Sequence, residues 1–358
     1  MLSTKKIYEN PVLLRADLFT SLARTPWAGR KIAQTIKAGI VKDKNCAIGE
    51  SWEISTDPQM PSTVKNSQQT LAAIIAEYPR EMLSDFLIAK NHLDCQILIK
   101  LINADFPLSL QVHPRDGDVH LKPNECGKPE SWLILEADKG AGVYFGFSKA
   151  RTTEELRILL TANKFSKEDL QFIPVSKYDY FDIPEGVPHV VATGTIVFEP
   201  QRILPHKSGK TYRMWDWNRK YDASGALDMA HGFERELHIA ESLELIDPLL
   251  QVGPEFGASL KKIPLISQVG KNKITSFPAN KFLQTHILDL NEVLIVEQRH
   301  GYGCLTCIEG EISFENNEVL KKGESAFIPF RALPLTLKVH GTSMCIYVQP
   351  GEVEAYFS

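Results

Sequence analysis

The chain is short of several things that would tie it to a special environment. Cysteine is scarce, six in 358 residues, too few to hold a fold together by disulfides. No apolar run approaches a membrane span, and the segment from Met1 to Asn10 runs into Pro11, Arg15 and Asp17 without the apolar stretch of an export signal. A reducing cytoplasm is the expected compartment, with no membrane partner. Excess charge of one sign is also missing. The formal net charge is −4 with acids and bases interspersed, which removes the electrostatic case for nucleic acid and leaves a small molecule as the expected ligand.

Other absences prune tempting motifs. Cys304 and Cys307 form a C-x-x-C with no second pair, and they read as packed strand residues rather than a metal or redox site. The stretch Ser208-Gly209-Lys210-Thr211 lacks the earlier glycine of a phosphate loop, because Leu204 holds that place and Pro205 follows. His231, Glu234 and His238 do not form a His-Glu-x-x-His pattern and read as a solvated surface. His120, in a polar loop, reads as a rim residue.

What the chain does have is many short β-type runs punctuated by glycine and proline. They fall at 95–102, 109–112, 131–135, 143–146 and 196–199, and again at 281–288, 303–308, 311–314, 325–328 and 343–348. This pattern predicts a mainly β protein of closed barrels or jelly rolls. Helical periodicity is expected over 69–89, 153–163 and 235–246, as helices laid on the first barrel. A looser region rich in glycine, proline and lysine follows, so two domains are expected, 1–250 and 251–358. The second half faintly repeats the first: Asp182-Ile183-Pro184-Glu185-Gly186 and Ala326-Phe327-Ile328-Pro329-Phe330 both lead an apolar run into a proline turn. The first copy continues to His189, whereas Pro334 stands five residues after Pro329, so the second barrel is expected to lack this metal ligand.

Candidate chemistry gathers in the first half. Strand alternation puts Gln111 and His113 on one face. Glu130 opens the next strand 17 residues later, and His189 follows the Pro184–Gly186 turn. Two imidazoles and a carboxylate, with an amide oxygen from Gln111, make a plausible zinc site that leaves room for water or substrate. Taken singly, His113 and Glu130 read more readily as hydrogen-bonded structural groups, and only His189, after its Pro-x-Gly-x-x turn, reads equally either way.

Three segments occur in order: Leu108-Ser109-Leu110-Gln111-Val112-His113-Pro114, Gly127-Lys128-Pro129-Glu130-Ser131-Trp132, and Thr211-Tyr212-Arg213-Met214-Trp215-Asp216-Trp217. With Trp27-Ala28-Gly29, Gly49-Glu50-Ser51-Trp52-Glu53-Ile54-Ser55 and Ile183-Pro184-Glu185-Gly186-Val187-Pro188-His189, the chain resembles the type I mannose-6-phosphate isomerase family over most of residues 24–220. The resemblance implies a double cupin, one zinc ion per chain held by Gln111, His113, Glu130 and His189, and interconversion of mannose 6-phosphate and fructose 6-phosphate through an enediol or enediolate. It implies catalytic roles for Lys128, Glu199 and Arg213, and places Lys100 and Ser109 near the sugar phosphate. Glu199 is the first candidate for proton transfer and Lys128 the second, with the alternative that Glu199 only pairs with Arg213 or Lys128.

The chain departs from the family pattern at Ala28, where glycine is common, and over 199–211. There a longer loop adds Arg202, His206, Lys207 and Lys210, which could bind the phosphate differently or act as a lid. Two other readings therefore stay open: isomerisation of a different sugar phosphate, and a non-catalytic cupin that binds zinc and sugar.

Overall fold

The computed structural model describes residues 6–358. Four sheets of five to seven strands build two β-barrels. In the first barrel a six-stranded sheet runs in the order Lys261–Lys262, Tyr180–Ile183, Glu130–Ala137, Thr195–Arg202, Ile97–Ala104, Glu50–Ile54. It faces a five-stranded sheet ordered Tyr212–Trp215, Leu110–Val112, His189–Val191, Gly142–Phe147, Leu170–Pro174. The second barrel pairs a seven-stranded sheet centred on Gly303–Glu309 and Ser343–Pro350 with a five-stranded one centred on Leu335–Val339.

The central strand Ile97–Ala104 is buried along its whole length, and its alternation explains why both faces are needed. Ile97, Ile99 and Leu101 pack into a core shared by the two barrels, where they meet Leu283, Ile287, Cys304, Ile346 and Val348. Leu98, Lys100 and Ile102 point the other way, onto the wall of a cavity. The neighbour Thr195–Arg202 repeats the division. Ile196 and Phe198 face the seam, while Glu199 shares the cavity wall with Lys100, its partner in the ladder.

The seam is held by more than apolar contact. Lys37 and Glu53 form a fully buried ion pair, Nζ to Oε2 2.7 Å with both side chains 0% exposed. The Ser325 hydroxyl of the second barrel donates to the same carboxylate at 2.9 Å. Ser51 donates to its other oxygen at 2.6 Å, and Lys37 donates to the carbonyl of Gly323 at 2.5 Å.

Several local expectations need correction. The stretch 69–89 is three short helices, Leu71–Glu77, Pro79–Leu83 and Asp85–Ala89. Pro79 has no N–H to continue the first, and Ser84 sits at φ 94° between the second and third. The third predicted helix is confined to Ile239–Leu245, because Arg235 is drawn off by a two-pronged ion pair to Asp216. The region read as loose holds a helix, Gly253–Leu260, and an antiparallel pair, Leu265–Val269 with Asn272–Ser276. The helix at Thr153–Thr161 begins at a capping box of Thr152 and Glu155, the signal its sequence carried.

Hydrogen bonding also crosses the expected 250/251 division in both directions. Val12–Leu13 pairs with Ser325–Ile328 of the second barrel, and Lys261–Lys262 with Tyr180–Ile183 of the first. Cys304 and Cys307 do not act as a unit, since Cys304 lies in the seam core with Cys95 and Cys307 lies inside the second barrel opposite Cys345. All six cysteines are free thiols. No helix is long and apolar enough to cross a membrane among the described residues.

Candidate metal centre and substrate cavity

Three strands bring His113, Glu130 and His189 together inside the first barrel. His189 stands opposite Gln111 in the ladder, and Glu130 opens the adjacent sheet's strand. The turn that delivers His189 needs Gly186 at φ 84°, a conformation costly for other residues. The Gly186 N–H donates to the carbonyl of His113 at 2.9 Å, which ties the turn to the facing strand. The three residues are 1%, 2% and 0% exposed, and their candidate ligand atoms all lie within 4.8 Å of one another.

The hydrogen bonds fix which nitrogens are free. His113 Nδ1 lies 3.0 Å from the carbonyl of Lys210 and His189 Nδ1 lies 2.8 Å from that of Val187. Facing carbonyl oxygens, both Nδ1 atoms must carry their protons, so both Nε2 atoms present lone pairs. Those Nε2 atoms are buried without a hydrogen-bond partner, 3.1 and 3.3 Å from the two carboxylate oxygens of Glu130. Burial, then the charge of Lys128, pushes His113 down to about 3, and burial lowers His189 as well. Against the upward push of burial, the charge of Lys128 helps hold the Glu130 carboxyl well below its usual range. Electron-rich atoms converging with no proton between them fit a cation, and two imidazoles with a carboxylate suit zinc.

Beside this cluster lies a cavity of about 230 Å³ whose walls carry Lys100, Ser109, Gln111, Lys128, Glu199 and Arg213. All six residues expected beside the three buried ones are thus gathered in one place. Lys128 Nζ is 3.5 Å from Glu130. Lys100 Nζ lies between Glu50 and Glu199, 3.6 and 3.9 Å away, and 4.5 Å above the ring of Trp52. Burial lowers the Lys100 ammonium. Burial, then the charge of Glu130, pushes the Glu199 carboxyl up to about 8. Burial and then Arg235 bring Arg213 down to about 10, which still leaves it cationic at neutral pH. Its Nη1 donates to the carbonyl of Glu236 at 2.7 Å.

The nearest cation to Glu199 is therefore Lys100, not the Arg213 or Lys128 of the alternative reading. Its hydrogen bonds come from Trp132 Nε1, 3.0 Å from Oε1, and Gln201 Nε2, 2.6 Å from Oε2. Neither donor was singled out from sequence for a role at the site. Gln201 was findable as the residue two positions beyond Glu199, on the same strand face. Arg24, Glu50, Trp52, Asp57 and Arg235 also reach the cavity. Trp52 and Glu50 lay inside a matched segment, while nothing in the local sequence marked Arg24 or Arg235.

The basic loop after Glu199 straps across the cavity wall, with two of its basic residues engaged by acids. Arg202 pairs with Asp116 at 2.7 Å and Glu185 at 3.4 Å, and Lys210 with Glu125 at 3.2 Å. Ser208-Gly209 pairs in parallel with Glu125-Cys126, and the Ser208 hydroxyl donates to Asp57 at 2.7 Å. A Cβ on Gly209 would come within 2.7 Å of the Lys128 stem. The strap thus packs on Lys128 while its Lys210 carbonyl holds His113. His120 sits at the surface against Glu244, 2.9 Å away. His231 and Glu234 are exposed, and His238 Nδ1 accepts the Arg213 backbone N–H at 3.3 Å.

Comparison with known proteins bears on the family and the fold. A family profile described as phosphomannose isomerase type I, catalytic domain, matches residues 18–130, and one described as mannose-6-phosphate isomerase, cupin domain, matches residues 273–348. The mannose-6-phosphate isomerase of Streptococcus mutans is 30% identical over 239 residues, 66% of this chain and 67% of that protein. The crystal structure of the mannose 6-phosphate isomerase from Bacillus subtilis superposes with a TM-score of 0.76 at 23% identity, covering 95% of this chain and 99% of the other. A mannose 6-phosphate isomerase bound with zinc and yttrium gives a TM-score of 0.68 at 16% identity, covering 94% and 99%. The fold is the double cupin expected from the sequence.

Proposed function

Because this chain belongs to the type I phosphomannose isomerase family, we propose that it interconverts mannose 6-phosphate and fructose 6-phosphate through an enediol or enediolate. One zinc ion per chain is held by His113, Glu130 and His189, with the amide oxygen of Gln111 as fourth protein ligand. The observation that carries this reading is the pair of buried, unpartnered Nε2 lone pairs facing Glu130, beside a cavity that gathers acids and bases. When bound, the metal supplies Lewis acidity to the carbonyl and hydroxyl oxygens of the sugar.

The remaining work falls to side chains. Isomerisation removes the proton from C2 of the aldose, moves a hydroxyl proton from O2 to O1, and returns a proton to C1. Glu199 is the leading group for the carbon-bound proton, since a carboxyl pushed up to about 8 can both take and return one near neutral pH. Lys128 is the second candidate, its Nζ 3.5 Å from Glu130 on the cavity wall. Arg213 neutralises negative charge on the substrate, whether on the enediolate oxygen or the phosphate. Lys100 and Ser109, on the same walls, bind the sugar phosphate. Residues 1–250 form the catalytic unit and 251–358 a cupin unit without metal ligands, in a protein working in the cytoplasm.

With Arg202 and Lys210 engaged by acids, the basic loop gives no reason to prefer another sugar phosphate. A coupled assay across a panel of aldose phosphates, with and without chelator, tests the proposal. Chelator-sensitive turnover highest for mannose 6-phosphate supports it, and no turnover of any hexose phosphate makes the chain a binding protein. Glu199→Gln should lower kcat by about a hundredfold to ten-thousandfold, the usual contribution of a general acid or base, with zinc content unchanged. Near-normal turnover with full zinc would remove Glu199 from the role.

A further inference from the structure

Glu130 and Glu199 are both almost fully buried and share their hydrogen-bond donors. Trp132 Nε1 lies 3.1 Å from Glu130 Oε1 and 3.0 Å from Glu199 Oε1. Gln201 Nε2 lies 2.9 Å from Glu130 Oε2 and 2.6 Å from Glu199 Oε2. Two neutral side chains thus touch all four oxygens of two carboxyl groups. A dry interior disfavours a second negative charge beside the first, and a neutral donor bound to both carboxyl groups holds them together without adding charge. Each oxygen keeps a second lone pair, turned toward the imidazoles in Glu130 and available to the cavity in Glu199. The carbonyl oxygen of Gln201 is buried without a partner. Its amide is therefore committed to the carboxyl pair at the expense of its own satisfaction.

We propose that Trp132 and Gln201 are positioning residues, a shared donor clamp that fixes the proton-transfer carboxyl of Glu199 against the metal-binding carboxylate of Glu130, so that loss of either donor weakens zinc binding and turnover together. The clamp rests on the reading of Glu199 as the proton-transfer group and of Glu130 as a metal ligand. Its two sides are separable. The Glu130 side is read by zinc affinity and the Glu199 side by kcat at saturating zinc.

Gln201→Met and Trp132→Phe remove the donors while keeping bulk, and a phenyl ring retains the stacking of Trp132 on Phe145. Either variant should lose roughly ten- to a hundredfold in zinc affinity by chelator competition, the usual effect of removing a group that orients a metal ligand. With zinc saturating, kcat should fall about tenfold or more, the equivalent of one hydrogen bond to a charged group, with KM little changed. In a Glu199→Gln background the kcat loss from Gln201→Met should shrink below about twofold while the affinity loss persists, as expected for residues acting as one unit. Equal kcat losses in both backgrounds, or unaltered zinc affinity, would overturn the clamp. Should Gln201→Met fail to fold, Trp132→Phe reads the same two quantities. Near-normal turnover of Glu199→Gln alone would instead overturn the proton-transfer reading.

Discussion

The two barrels share an architecture and differ in what fills them. Inside the first, the central sheet presents Glu130, Glu199, Gln201 and Lys100 to one another. Inside the second, the corresponding space holds Leu288, Leu290, Val296, Leu305, Leu337 and their neighbours. The contrast is sharpest at the strand pairs nearest the seam. Glu199 lies opposite Lys100 in the first barrel, and Tyr347 lies opposite His286 in the second. A barrel packed with aliphatic side chains holds its shape by burial alone. One lined by acids and imidazoles must compensate each polar group, which the first barrel does with backbone carbonyls, shared donors and the nearby lysines.

The largest test of that contrast is to neutralise the first barrel's centre. Glu130→Gln should abolish retention of zinc and lower turnover by about a thousandfold or more, as expected when a Lewis acid worth several kcal/mol is lost. Metal analysis and the coupled assay on the same preparation check both outcomes. A stable variant that kept its zinc would break the comparison.

The seam comes next. Removing one partner of the Lys37–Glu53 pair by Lys37→Met should cost about 3–5 kcal/mol in denaturant unfolding, because an uncompensated carboxylate stays buried. The double change Lys37→Met with Glu53→Leu should recover much of that loss. If the single change were harmless, the ion pair would not be the junction between the barrels.

The second barrel has its own titratable group, and the effect there concerns stability alone. Burial pushes His286 down to about 4; its Nδ1 meets the Ser276 hydroxyl at 2.8 Å and its Nε2 has no partner. The fold therefore keeps this imidazole neutral, whereas in the unfolded chain it protonates near its ordinary 6.5. Between those values the unfolded state holds the extra proton, so stability falls as pH falls, by up to about 3 kcal/mol. His286→Leu should remove that share of acid sensitivity in unfolding experiments between pH 7 and 4.5. An unchanged pH dependence would show that His286 does not titrate as a buried group.

How much of this was legible in the sequence follows the range of each interaction. Gln111 and His113 were readable because strand alternation is local, and His189 because a proline–glycine turn precedes it. Glu130 gained meaning from the matched Gly-Lys-Pro-Glu segment. Arg24 and Arg235 escaped because distant segments bring them to the cavity. The Lys37–Glu53 pair escaped because its partners in the second barrel lie some 270 residues further on, a pairing no local pattern encodes. The single helix read over 69–89 failed at Pro79 and Ser84, where local backbone chemistry overrode an otherwise continuous apolar face. In the 199–211 loop, Arg202 and Lys210 could not be assigned acidic partners from sequence, because Asp116, Glu125 and Glu185 come from distant segments.

We assign the chemistry to one barrel and to one metal. Zinc stoichiometry and mannose 6-phosphate turnover, measured together on wild-type protein during chelation and zinc restoration, test it most directly. One zinc per chain is expected, with turnover lost and regained in proportion to it. Two zinc ions per chain, or turnover that persists once zinc is gone, would contradict it.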